Sequence, residues 1–171
     1  FSIFRSRGEL KMGIIINPNP SIPRLTNIAD KTKANVRYTL ISPYASAHIY
    51  WDKKTSEMVY DLEEPILDAK EKEALRRIEE SMKEIINLAV VNDKNQEALI
   101  NYIDKTARMI VDETGLNVPE KSYKKIFYFL YRDFIGLNEI DPLMKDYFIE
   151  DIECNGINTP IYVIHRLYRS L

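Results

Sequence analysis

The sequence predicts an α+β fold: an N-terminal arm and a β-hairpin, an antiparallel three-helix bundle, and then a short helix and the start of an antiparallel sheet. Three observations predict it. Prolines punctuate the first part of the chain, alternating β-branched and aromatic residues begin at Tyr38, and apolar residues recur at three- and four-residue steps through the middle. The 171 residues suit one domain, or a domain with an appended module.

Residues 1–37 are predicted to form an extended basic arm, because Pro18, Pro20 and Pro23 push the residues before them towards extended geometry. Residues 1–60 hold nine Lys and Arg against four Asp and Glu, whereas the whole chain has a net charge of −2. Such a basic front indicates a docking arm for an acidic protein, lipid headgroups or nucleic acid, and a solvated terminus explains it equally well. We expect the bundle to stay folded when residues 1–37 are removed. The possible docking residues are Arg5, Arg7, Lys11 and Arg24.

A β-hairpin and the helical bundle are predicted over residues 38–136. The segments TLISPYASAHIYWD and EMVYDLEEPIL are two strand-like runs separated by a polar stretch. The first helix begins at Asp68, which has the spacing of an acidic capping box with Glu71, and it ends before Asn92.

Two further helices follow. One spans residues 96–113 and ends at Gly115, a favourable left-handed position. The next begins at Pro119 and ends at Gly136. Because the connections are short, neighbouring helices are predicted to be antiparallel.

The third helix mixes basic residues with tyrosines, which could combine phosphate contacts with base stacking. The tyrosines also fall at the spacing of a core face, and core packing is the favoured interpretation. The residues concerned are Lys121, Lys124, Lys125, Arg132, Tyr123, Tyr128 and Tyr131.

The tail, residues 137–171, is predicted to begin an α+β sheet subdomain. Asp141 is predicted to cap a short helix that Pro142 enters, and two strands then follow, joined by a turn over residues 155–158. A strand that ends at Leu171 needs a partner for its edge, which indicates a truncated chain.

No catalytic or metal-binding motif is found. The five glycines lack the spacing of a phosphate loop, and His48 and His165 have no second ligand two or four residues along the same element. An acidic cluster at Glu150, Asp151 and Glu153 is a weak match to a cation site and is better explained as a solvated turn. The single cysteine, Cys154, is predicted to be a buried, inert thiol in a reducing compartment.

The tail resembles a signature of the type II/type IV secretion-system ATPases, which drive pilus assembly, protein secretion and, in archaea, archaellum rotation. That signature has the pattern G-x-G-x-I-D-P-L-x-x-D, then E-D-I-x-x-N-G, then P-V-Y-V-x-H-R. Asn138 replaces its second glycine, and residues from about Tyr38 resemble the archaeal branch more loosely. The matching residues are Gly136, Ile140, Asp141, Pro142, Leu143 and Asp146, then Glu150, Asp151, Ile152, Asn155 and Gly156, then Pro160, Tyr162, Val163, His165 and Arg166.

The resemblance implies a cytoplasmic, homohexameric motor, associated peripherally with the membrane, in which a variable N-terminal domain sits on a RecA-like domain holding ATP and Mg²⁺. This chain would be the N-terminal regulatory and assembly domain. It would contact its own ATPase domain, neighbouring subunits, a membrane platform protein and accessory proteins, with no cofactor of its own and no ATP hydrolysis by itself. His165 and Arg166 are then candidates to face a neighbouring subunit or a nucleotide, and pairing of Arg166 with Glu150 or Asp151 is the structural alternative.

Two other functions stay open from the sequence. The chain could be a stand-alone nucleic-acid-binding domain that uses the basic arm and third helix, although nucleic acid is the less favoured partner. It could also be an adaptor that lacks an ATPase half. Whether an archaellum, a pilus or a secretion system is served is left open.

Overall fold

The structure, a computed structural model, describes residues 16–85, 96–157 and 159–171. It confirms the α+β class. Within these residues, two three-stranded antiparallel sheets are separated along the chain by three long α-helices, and a short helix leads into the second sheet. None of the helices in the described part of the chain is long and apolar enough to cross a membrane.

The first sheet has three strands in sequential order, where a two-stranded hairpin was predicted. They are β1 (Asn35–Ile41), β2 (Ala45–Asp52) and β3 (Glu57–Glu63). The first predicted strand is interrupted at Pro43, which has no N–H to donate to a ladder. A turn closed by the N–H of Tyr44 and the carbonyl of Ile41 takes its place.

The described part of the predicted arm is attached to the body. Asn17 and Ser42 exchange two backbone hydrogen bonds of 2.9 Å. Ala34 is buried, and β1 already begins at Asn35, inside the predicted arm. The apolar residues of this part that pack against the core are Ile16, Leu25 and Ile28. From Ile16 onward the segment is therefore a strap across the core, and we now expect its removal to destabilise the fold.

The three long helices are α1 (Ala69–Ile85), α2 (Gln96–Thr114) and α3 (Glu120–Phe134), and each contacts the other two. The capping box is confirmed. The N–H of Glu71 donates to Asp68 Oδ1, and the N–H of Asp68 donates to Glu71 Oε2, both at 2.9 Å. The predicted extension of the first helix to residue 91 lies outside the described residues.

The tyrosines of α3 are core residues, as favoured from their spacing: Tyr123, Tyr128 and Tyr131 are all buried. Two of the basic residues of this helix are engaged in ion pairs as well. Lys125 pairs with Glu71, and Arg132 pairs with Glu64 and Asp133. These three tyrosines are therefore not available to stack on bases.

The second sheet contains β4 (Ile149–Cys154), β5 (Ile161–His165) and β6 (Arg169–Ser170), in sequential order. The first two were predicted. The short third strand was missed, because a three-residue turn after His165 is too tight to be recognised from hydrophobic pattern alone. β6 pairs only through Ile164–Ser170 and His165–Arg169.

A 3₁₀ turn (Asn138–Ile140) runs directly into α4 (Asp141–Met144). Asp141 therefore has helical backbone angles and is not the N-cap that was predicted. Asn138 has a φ of 57°, in the left-handed region that glycine and asparagine tolerate best.

Candidate functional site

The signature residues of the tail meet the first sheet at one buried joint. Its centre is the carboxylate of Asp146, between α4 and β4. Oδ2 accepts hydrogen bonds from the hydroxyl of Tyr38 on β1 at 2.5 Å and from that of Tyr60 on β3 at 2.8 Å, and Oδ1 accepts from the N–H of Phe148 at 2.8 Å. The joint thus connects the second sheet to two strands of the first.

His165, at the end of β5, completes the joint and is 0% exposed. Its Nδ1 lies 3.2 Å from the N–H of Leu167 and 3.3 Å from that of Tyr168, so this nitrogen is the acceptor. Its Nε2 therefore carries the proton and donates to the Tyr38 hydroxyl at 3.2 Å, since that hydroxyl gives its own proton to Asp146. The bonds run in one direction, from His165 through Tyr38 to Asp146.

Aromatic packing fixes the imidazole in this orientation. The ring of His165 is stacked between Phe148, with centroids 5.4 Å apart, and Tyr168, with centroids 4.7 Å apart. The hydroxyl of Tyr168 donates to the carbonyl of Thr26 in the strap at 3.0 Å. The same stack therefore connects the tail to the N-terminal strap.

Burial decides the protonation states in the joint. Desolvation lowers the pKa of His165, which keeps the ring neutral, and the nearby Asp146 and Glu150 charges oppose that effect. Desolvation and the adjacent Asp146 carboxylate both raise the pKa of Tyr38 and of Tyr60, so both hydroxyls stay protonated and donate. The polar side chains of the joint are therefore hydrogen-bonded to one another, and the network has a structural role.

The prediction that His165 faces a nucleotide or a neighbouring subunit is wrong, because the ring is enclosed and both its nitrogens are engaged within the chain. Arg166 is different. Its side chain is partly exposed, its Nε lies 3.8 Å from Glu150 Oε1, and its guanidinium lies 4.5 Å from the centre of the Tyr147 ring. The pairing with Glu150 that was considered from the sequence is present.

Gly136 and Asp141 form the corner by which the chain leaves α3. Asp141 is buried, and its Oδ1 accepts from the N–H of Leu137 at 3.1 Å. A β-carbon on Gly136 would lie 2.6 Å from Asp141 Cγ and 2.7 Å from the backbone oxygen of Arg132. Glycine is required here by this close approach and not by a left-handed backbone.

The other signature residues divide into buried and exposed groups. Pro142 and Leu143 belong to α4 and are buried. Val163 of β5 is also buried, and Ile152 of β4 is half-buried. The exposed signature residues of the β4–β5 hairpin are Glu150, Asp151, Asn155, Gly156, Pro160 and Tyr162. Gly156 has a φ of 129°, as expected for the tight turn that was predicted there, and Asn158 of the same turn lies outside the described residues.

The tip of the β4–β5 hairpin stands clear of the body. Every described residue from Glu153 to Tyr162 is exposed, on both faces of the hairpin. Among them, Ile157 is 91% exposed, and Ile161 and Tyr162 are about half exposed. Exposed apolar side chains on a projecting element are typical of a surface that binds another protein. We call residues 153–162 the hairpin tip.

Cys154 belongs to the hairpin tip and is exposed, so the prediction of a buried thiol is wrong. The apolar alternation of this segment suggested a core face, but the tip has no layer packed against it. Of the predicted docking residues of the arm, Arg24 is exposed, and Arg5, Arg7 and Lys11 lie outside the described residues.

A second group of polar side chains lies on the first sheet. His48, Asp61 and Glu63 each place a nitrogen or oxygen within 4.8 Å of the others. The sequence search missed this group because it considered ligands along a single element. The signal that could have revealed it is the hairpin register, which sets His48 opposite Asp61.

The fold and the site define an α+β domain with a projecting, partly apolar hairpin held by a buried polar joint. No family model matches the chain. A search of curated proteins finds similarity to "Uncharacterized protein MJ1288" of Methanocaldococcus jannaschii, which is 32% identical over 123 residues. The match covers 72% of this chain and 48% of the relative, so the chain spans about half the length of the protein it matches.

Proposed function

We propose that this chain is the non-catalytic N-terminal assembly domain of a secretion or archaellum ATPase, and that the hairpin tip is the surface by which it docks on a neighbouring subunit. The observation that carries the proposal is the exposure of every described residue of the hairpin tip, together with the buried, hydrogen-bonded joint at its base. A fixed base with an apolar projecting end favours association with another folded protein, because little conformational freedom is lost on binding.

The tail signature supports the same proposal residue by residue. Gly136 stands where a β-carbon has no room, Asn138 has the left-handed backbone that suits the glycine of the family pattern, and Asp146 and His165 hold the joint. Each of these positions needs its residue type for a structural reason. We expect that of a signature in an assembly domain that carries out no catalysis itself. ATP and Mg²⁺ would be held by the RecA-like domain of the parent protein, and no residue of this chain is assigned to them.

The nucleic-acid alternative has lost part of its basis, because the tyrosines of α3 are buried and Lys125 and Arg132 are in ion pairs. The coding sequence that follows Leu171 distinguishes the adaptor alternative from the ATPase proposal. The ATPase proposal expects the coding sequence to continue past Leu171 into a G-x-x-x-x-G-K-[S/T] phosphate loop. A stop codon after Leu171, or a continuation without that loop, would contradict it and favour the adaptor.

Docking by the tip is tested in the full-length protein with two matched substitutions. Ile157→Asp changes a side chain that is 91% exposed on the tip, and Ile66→Asp changes one that is 88% exposed on the body. We expect Ile157→Asp to reduce the hexamer fraction in analytical ultracentrifugation at least about tenfold, and Ile66→Asp to leave it unchanged. Equal behaviour of the two variants would overturn the assignment of the tip as the docking surface.

A further inference from the structure

The outward face of the first sheet carries a group of ligand-type side chains that the assembly role does not use. His48 lies on the central strand β2, opposite Asp61 on β3, and Glu63 lies two residues further along β3, on the same face. Ala47 and Ile49, the neighbours of His48, are buried on the other face. The nitrogen and oxygen atoms of the three side chains are within 4.8 Å of one another.

The imidazole of His48 is held in one tautomer. Its Nε2 lies 2.9 Å from Asn35 Oδ1, an acceptor, so Nε2 carries the proton. Its Nδ1 then presents a lone pair, 3.5 Å from Glu63 Oε1. A metal-binding histidine usually donates its second ring N–H to a carbonyl or carboxylate oxygen, which orients the ring. Asn35 supplies that contact from the neighbouring strand β1.

A cation already occupies the space between the ligands. Nη2 of the Arg37 guanidinium lies 2.7 Å from Glu63 Oε1 and 3.3 Å from His48 Nδ1. The Arg37 side chain is 59% exposed, and its long flexible stem lets it withdraw into solvent. The Asp61 carboxylate has no hydrogen bond or ion pair with the residues that the structure describes, so it is available as a ligand.

We propose that His48 Nδ1, Asp61 and Glu63 bind a divalent transition-metal ion of the Zn²⁺ or Co²⁺ class, and that Arg37 holds the site when no metal is bound. One imidazole with two carboxylates suits these ions better than Mg²⁺, which prefers oxygen ligands and water. Three ligands from the protein leave a coordination position open to water. Binding would link β2 to β3 and release Arg37. The inference is independent of the assembly role.

The test is calorimetric titration of the untagged, metal-free chain with ZnCl₂, with the Co²⁺ absorption spectrum as a second measurement. Both are made in a Cys154→Ser background, which removes the one exposed thiol. We expect one ion per chain. His48→Ala and Glu63→Gln should each weaken binding about tenfold or more, and Asn35→Ala should weaken it about tenfold, the effect typical of a residue that orients a ligand.

Two further variants separate a site from general attraction of cations. Arg37→Gln should tighten binding several-fold, because it removes the competing positive charge. Glu57→Gln, on the same strand β3 but away from the group, should leave affinity unchanged. The proposal would be overturned if the Zn²⁺ affinity were equal with and without His48→Ala, or if Arg37→Gln weakened it. Circular dichroism checks that each variant is folded. If His48→Ala does not fold, the effect of Glu63→Gln on Zn²⁺ affinity still tests the site.

Discussion

The hydroxyl of Tyr38 donates to Asp146 Oδ2 at 2.5 Å, across 108 positions of sequence. This hydrogen bond joins the first strand of one sheet to the entrance of the other. It is buried and continues to His165, so the two sheets are held by a directed set of bonds as well as by apolar contact. A buried network of this kind specifies one arrangement, because any other leaves its polar atoms unsatisfied.

Tyr38→Phe is expected to lower the free energy of unfolding by about 1–3 kcal/mol, since it leaves both the His165 Nε2–H and one Asp146 acceptor position unpaired in the interior. Tyr60→Phe should cost less, because it removes one Asp146 bond but leaves the His165 Nε2–H paired with Tyr38. Urea denaturation measures both. Tyr162→Phe, at the exposed hairpin tip, is the control and should be unchanged. Equal costs for all three would refute the importance of the joint.

The protonation of His165 should make stability depend on pH. Because burial lowers its pKa in the folded state, the unfolded chain binds the proton first, below about pH 6.5. Stability from this group is present above that pH and is lost as the pH falls towards the lower folded pKa. The measurement is the free energy of unfolding of the unsubstituted chain and of His165→Gln, by denaturation between pH 7.5 and 5. The variant should be less stable at pH 7.5 but less sensitive to pH, and an unchanged slope would contradict the assignment.

Glu71 stabilises the start of α1 in two ways, which two substitutions separate. The Lys125 hydrogen bond lowers the pKa of Glu71 to about 2, helped by the N–H of Asp68 and opposed by burial. Glu71→Ala removes the capping acceptor and the charge, whereas Glu71→Gln keeps an acceptor. We therefore expect Glu71→Ala to cost about 1 kcal/mol more than Glu71→Gln in thermal or urea unfolding.

The pH dependence gives an independent check on Glu71. Its ion pair should contribute stability above about pH 4.3, the ordinary pKa of glutamate, and that contribution should be lost as the pH falls towards 2. Glu71→Gln should lack this component. Glu84→Gln, at an exposed position on the same helix, should retain it.

Gly136→Ala is expected to destabilise the protein by about 3 kcal/mol, because its β-carbon would overlap the Asp141 side chain and the backbone of Arg132. Gly115→Ala is the matched control. Its site has open space but a φ of 65°, so only backbone strain of about 1 kcal/mol is expected. Adding Asp141→Ala to Gly136→Ala should recover part of the loss but not all, since the contact with the Arg132 backbone remains.

Local patterns were enough to predict several features correctly. The Asp68–Glu71 capping box, the end of a helix at Gly115 and the core tyrosines of α3 all depend on residues within a few positions of one another. One strand of each sheet was missed, because the division of the first run into β1 and β2 and the formation of β6 both depend on where a tight turn interrupts an apolar run. Asp141 was assigned as a cap from its proline neighbour, but the preceding 3₁₀ turn places it inside the helix.

By itself, the sequence determined the α+β class, the three long helices and the tail segment that forms the projecting hairpin, because periodicity, capping and turn residues act over short distances. Only the tertiary structure decided that His165 is enclosed, that Cys154 is exposed and that His48 meets Asp61 and Glu63. Burial and cross-strand proximity depend on which distant segments pack together and in what register, and no single segment carries that information.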